Sequence, residues 1–144
     1  MLPEGLGNAI HLLAAVIWVG GLAVLVFALR PALRRSVPAD VERDRILSAV
    51  HRRFAALATV AAAVLFASGF MMMATDEHFL GFGHYGNTWS KLMVGKHALF
   101  LGMLGILVLL RVPRPSKSEH DLVDVSLMLG LAVLVVTGLL TAVV

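Results

Sequence analysis

The chain has no cysteine, one tyrosine, two tryptophans and few charges, with Asp, Glu, Lys and Arg making up only 15% of 144 residues. Without cysteine there is no disulfide framework, no CxxC redox pair, no thiolate metal site and no thiol nucleophile. Any metal must then be held by His, Met, Asp, Glu or backbone oxygen. No Walker loop, Ser-His-Asp order or pair of buried carboxylates occurs, so hydrolytic chemistry has no support. A net charge of +3 and a pI of about 10.0 suit a nucleic-acid partner in principle. Such a binder needs a soluble basic face, however, and most of this chain is lipid-compatible, so nucleic acid is set aside.

What the chain has in abundance is apolar sequence: 59% hydrophobic residues and a mean hydropathy of +0.89, against about 45–50% apolar in ordinary soluble domains. Crossing a hydrocarbon core about 30 Å thick takes about 20 apolar residues. Four runs qualify, at residues 7–29, 54–73, 92–110 and 125–144. None alternates as a barrel strand does. The expected fold is therefore all-α: one integral membrane four-helix bundle over residues 1–144. The first run lacks a basic n-region and is followed by Arg30-Pro31 rather than a cleavage site, so it reads as a span and not as a signal peptide. Pro31 is expected to end the first helix. Asp40 is placed to start a short amphipathic helix on the membrane surface, with Val41, Ile46, Leu47 and Val50 as its apolar face.

Basic residues orient the bundle. Arg30, Arg34, Arg35, Arg43, Arg45, Arg52 and Arg53 fall in the first connection, and Arg111, Arg114 and Lys117 in the third. The positive-inside rule places both connections in the cytoplasm and both termini outside, in the cell (inner) membrane. Only Lys91 and Lys96 break the pattern. Lys91 can snorkel to headgroups. Lys96 lies about 10 Å along the helix from Trp89, and an ionisable residue inside a span is a functional-site hypothesis by default.

On this orientation His11 lies about 6 Å, and His97 about 12 Å, below the outer edge. Met71, Met72 and Met73 end the second span on the same side, His78 and His84 follow in the loop, and Met93 stands one turn before His97. Thioether and imidazole suit Cu(I), and imidazole also suits Cu(II) and haem iron. Plainer readings exist: methionines as adaptable packing, His78 and His84 as solvated loop residues, His51 and His120 as cytoplasmic surface residues. An imidazole in lipid without a partner costs several kcal/mol, which singles out His11 and His97. Trp18 shares the face of His11, and Gly20 and Gly21 let a helix or a flat cofactor approach the backbone.

The segment Ile10-His11 through Trp18 and Gly20-Gly21-Leu22 to Arg30-Pro31 resembles the opening helix of the CopD-like copper-resistance and copper-export membrane proteins. Arg53-Phe54 leading to Ser68-Gly69, then Tyr85-Gly86 with a lysine-bearing helix and Arg111, then Thr137-Gly138, continue the likeness over nearly the whole chain. Larger members carry additional spans, so this chain would be a minimal four-helix unit, expected to act as a homodimer or with a membrane partner. The spacing leaves Lys91 and Lys96 both as candidates for the family's lysine. Trp89-Ser90-Lys91-Leu92, with a histidine in the first helix, is also similar to the membrane protoporphyrinogen-oxidase-like proteins, which are associated with haem b.

Two functions follow as expectations. The CopD likeness implies copper homeostasis or transport, with His11, His97 and Met93 as the site and Met71, Met72, Met73, His78 and His84 as an outer funnel, served by a periplasmic copper carrier. The second likeness implies a haem b redox protein with a periplasmic redox partner. There His11 and His97 would be axial ligands, Lys91 and Lys96 would face the propionates, and Trp18, Gly20 and Gly21 would accommodate the ring. A cofactor-free structural subunit is the third possibility.

Overall fold

The computed structural model describes residues 4–76, 81, 86, 88–112 and 115–143. Among these the secondary structure is entirely helical. Helix α1 runs over Gly5–Ser36, α2 over Asp40–Thr75, α3 over Thr88–Leu109 and α4 over Ser116–Val143. Each is long and apolar enough to cross a membrane. Helices are what apolar runs become in lipid, because every backbone N–H and C=O must find its partner within the segment.

Two sequence expectations are corrected. The stretch after Asp40 is not a separate surface helix. It is continuous with the second span, and the 36 residues of α2 extend about 54 Å, well beyond a hydrocarbon core of about 30 Å. Nothing between Val50 and Phe54 breaks a helix, so the turn pattern continues and carries the arginines clear of the apolar zone. Pro31 does not end α1 either, since α1 continues to Ser36. Two π-helical stretches, Val16–Gly20 and Val24–Leu29, precede the proline, and Arg30 keeps helical geometry at φ −59° and ψ −49°. Proline cannot donate to the carbonyl one turn back, and the wider π turn immediately before it relaxes the spacing where that bond is missing.

The helices pair as two hairpins, α1 with α2 and α3 with α4, along seams of similar extent. The core is Ala14, Trp18, Val19 and Leu22 of α1, Ala55, Ala58, Ala61 and Ala62 of α2, Met103 and Leu107 of α3, and Val123 and Leu127 of α4. In lipid the gain comes from close van der Waals fit, which small residues permit. The alanine ridge of α2 does this for Trp18, which is 2% exposed and meets Phe100 edge-on at 5.8 Å. Gly130 does it for α4, because a Cβ there would lie 2.9 Å from Val19 Cγ2 and 3.2 Å from Met103 Cε. A smaller cluster of Met73, Trp89 and Leu140, with Leu92, Met93 and Val136 against it, closes the other end.

Polar clamps fix the arginine-rich end. Arg30 Nη1 pairs with Asp124 Oδ1 at 2.5 Å and Nη2 donates to the His120 carbonyl at 3.0 Å, tying α1 to α4. Arg111 Nη2 donates to Thr59 Oγ1 at 2.6 Å, tying the end of α3 to α2.

Replacing Gly130 by valine is expected to cost about 1–3 kcal/mol, because Val19 is β-branched and cannot rotate aside. Gly105→Val meets open space and is expected to be tolerated. Thermal unfolding followed by circular dichroism in detergent compares the two, and equal melting temperatures would refute this packing.

Candidate functional site

At the end opposite the arginines, α1 and α2 present a polar contact inside the apolar seam. His11 Nδ1 lies 2.8 Å from Ser68 Oγ. The Ser68 hydroxyl is also 2.6 Å from the Val64 carbonyl and 3.4 Å from that of Leu65. Carbonyls only accept, and a hydroxyl has one proton, so Ser68 gives its proton back to its own helix and its oxygen accepts from His11 Nδ1–H. The network therefore assigns the Nδ1–H tautomer. The lone pair of His11 stands on Nε2, which has no hydrogen-bond partner among the described residues.

The surroundings hold the ring in place. A Cβ on Gly69 would lie 3.2 Å from His11 Cε1, so the imidazole rests where any larger residue would put its side chain. Lys96 of α3 is half-buried and within electrostatic range of the ring. Further along the same two helices, Trp18 of α1 meets Phe100 of α3 and closes the space with apolar rings. One turn from His11, Gly7 is buried under the Met71 methyl, whose Cε would lie 3.0 Å from a Cβ on that glycine.

The structure groups His11 with Ser68 and Gly69 rather than with His97. His97 is exposed on α3, and its Nδ1–H donates to the Met93 carbonyl of the same helix at 2.7 Å. Its ring thus stands outside the seam that holds His11. Lys91 is exposed. The three consecutive methionines diverge, as successive residues on a helix must. Met71 packs on Gly7, Met72 is half-buried, and Met73 joins the Trp89–Leu140 cluster to which Met93 also belongs. Gly21 offers no room for a cofactor, because a Cβ there would sit 2.3 Å from Phe54 Cε2. Gly20 is open, with only Val16 nearby. His78 and His84 lie outside the described residues. Among the described residues no three His, Asp or Glu side chains come together as a metal-ligand group.

The opposite end holds polar residues that the sequence reading left at the surface. His51 is 5% exposed, with Nδ1 3.5 Å from Glu119 Oε2, which also accepts from Ser48 Oγ at 3.0 Å. The His120 ring meets it edge-on at 6.0 Å. This burial had a sequence signal: Leu47, His51, Ala55, Ala58 and Ala62 recur at spacings of four and three, one continuous helical face, and all five are buried.

No protein-family model, curated protein or solved structure matches this chain.

Nitrogen NMR on histidine-labelled protein in detergent is expected to show His11 as the Nδ1–H tautomer. Ser68→Ala removes the acceptor and should shift His11 toward Nε2–H without moving His97. An unchanged His11 spectrum in that variant would show that Ser68 does not set the tautomer.

Proposed function

We propose that this chain is a CopD-like integral membrane protein of the haem b-binding, redox type, with His11 as its protein ligand and electron transfer near the extracytoplasmic face as its role. The observation that carries this reading is the His11–Ser68 bond, which leaves an oriented, unprotonated Nε2 in a membrane-spanning helix. Metal-ligating histidines are commonly fixed in this way, with one ring nitrogen held by a neighbouring acceptor while the other faces the metal.

The donor set fits haem better than a copper ion. Lys96, half-buried on α3 and within electrostatic range of His11, is unfavourable near Cu(I) but suited to the carboxylates of a porphyrin, since buried anions need cationic partners. Haem iron held at His11 would supply a one-electron carrier. The chain's residues do the rest: Ser68 holds the imidazole in the ligating tautomer, Gly69 lets it lie against α2, Lys96 balances negative charge, and the Trp18–Phe100 contact keeps water from the deeper seam. The partners this implies are membrane lipid, a second copy or a membrane partner protein, and a soluble redox protein on the outer side. The positive-inside pattern supports the inner membrane with both termini outside.

Copper is the second reading, favoured by Met71, whose thioether side chain lies against Gly7 one turn from His11 and belongs to a ligand type that selects Cu(I).

Absorption spectroscopy and metal analysis of the protein purified from membranes decide between them. A Soret band is expected, lost in His11→Gly, restored to that variant by added imidazole, and kept in His97→Ala. Lys96→Gln should lower haem occupancy several-fold without abolishing it. A colourless protein carrying copper would favour the second reading, and a protein with neither would overturn both. Full binding in His11→Gly would remove this histidine as the ligand.

A further inference from the structure

At the arginine-rich end a cavity of about 110 Å³ is lined by Arg30, Arg34, Arg43, Asp44, Leu47 and His120. It has no part in the His11 site. Arg30 is almost buried, with its side chain 11% exposed. Nη1 is paired with Asp124 and Nη2 with the His120 carbonyl, yet Nε is buried with no hydrogen-bond partner. A guanidinium is a donor only, so what would satisfy this one is an acceptor. Arg43 is committed elsewhere, to Asp40 and to the carbonyls of Val37 and Pro38. Arg34 makes no ion pair or hydrogen bond among the described residues, and neither does Asp44.

With Asp124 and Asp40 each taken up by an arginine, the lining offers spare donors on Arg34 and on the second N–H of each terminal Arg30 nitrogen, and one spare acceptor on Asp44. That combination does not suit a simple polyanion, which Asp44 would repel. It suits a monoanionic phosphodiester that also carries hydroxyl donors. The cavity stands where α1 leaves its apolar stretch: Val24 and Phe27, 62% and 70% exposed, lie within two turns of Arg30 and offer acyl chains an apolar track. Leu47 adds an apolar wall.

We propose that this cavity binds the glycerol phosphodiester headgroup of an anionic phospholipid, with phosphate oxygens on Arg30 and Arg34 and headgroup hydroxyls donating to Asp44. Guanidinium groups are well matched to phosphate oxygens in geometry and charge, and basic pockets between spans at this depth are where anionic headgroups dock.

The test is thermal unfolding of the detergent-purified chain titrated with dihexanoylphosphatidylglycerol, dihexanoylphosphatidylcholine or glycerol 3-phosphate. The glycerol lipid is expected to give a saturable rise in melting temperature that the choline lipid does not. Arg34→Gln should weaken its apparent affinity about fivefold, the worth of one basic residue at an anionic surface. Arg35→Gln, which changes a residue that does not line the cavity, should leave it unchanged. Both arginines are exposed, so neither variant threatens the fold. Asp44→Asn should reduce the advantage of the glycerol lipid over dihexanoylphosphatidylmethanol, which has the phosphodiester without the hydroxyls. An equal response to glycerol and choline lipids, or an Arg34→Gln titration that matches the parent, would overturn the proposal. If glycerol 3-phosphate alone reproduces the shift and competes with the lipid, the site takes a soluble phosphate and the lipid assignment is overturned.

Discussion

In the hydrocarbon region no water is present to satisfy a polar group, and this constraint organises the whole chain. It forces the backbone into helices and then acts on each polar side chain in turn. Thr59, Ser68 and Thr137 donate back to the carbonyls of Ala55, Val64 and Val133 on their own helices, and His97 does the same to Met93. Each of these bonds is made within one helix and needs no other helix. His11 is different, since its Nδ1 partner lies on another helix, 57 residues away in sequence.

That distinction separates residues that merely tolerate the membrane from those that shape the bundle. Interhelical hydrogen bonds in lipid contribute modestly, about 0.6 to 2 kcal/mol each, so they fix register more than they hold the helices together. The holding is done by close fit: Trp18 on the alanine ridge, Phe54 over Gly21, and Val19 with Met103 over Gly130. Polar contacts then pin the two ends of this apolar middle. Arg30 with Asp124 and Arg111 with Thr59 fix one end, and His11 with Ser68 fixes the register of α1 on α2 at the other.

Spans were legible in the sequence because membrane thickness imposes a length on apolar runs. Helix ends were not, because hydropathy reports where lipid stops rather than where helical hydrogen bonding stops. Asp40 to Arg53 is polar and still helical, and Pro31 is passed because α1 widens into π turns before it. Candidate ligands were legible as residue types, as an imidazole in lipid is costly wherever it points. Which way each one points was not, since that depends on the helix packed beside it. His11 and His97 look equivalent along the chain; one meets α2 at Ser68, and the other faces outward from α3. His51 shows the converse, a residue surrounded by arginines in sequence yet buried on the face that runs through Ala55 and Ala58.

Ser68 alone would have been satisfied by Val64, and an apolar residue at position 11 would pack against Gly69 at no polar cost. Placing a histidine there brings an imidazole into an apolar span, where a polar group without a partner is costly. The arrangement recovers one hydrogen bond through Nδ1 and leaves the acceptor nitrogen, Nε2, without a hydrogen-bond partner among the described residues. Lys96 compounds the expense, because an ammonium inside a span is itself unfavourable and has no carboxylate partner among the described residues. A fold optimised only for packing would contain neither residue. Both are retained in helices whose other polar side chains, such as Thr59 and Thr137, are satisfied by their own backbone, so His11 and Lys96 mark the part of the bundle where packing alone does not account for the residue types present.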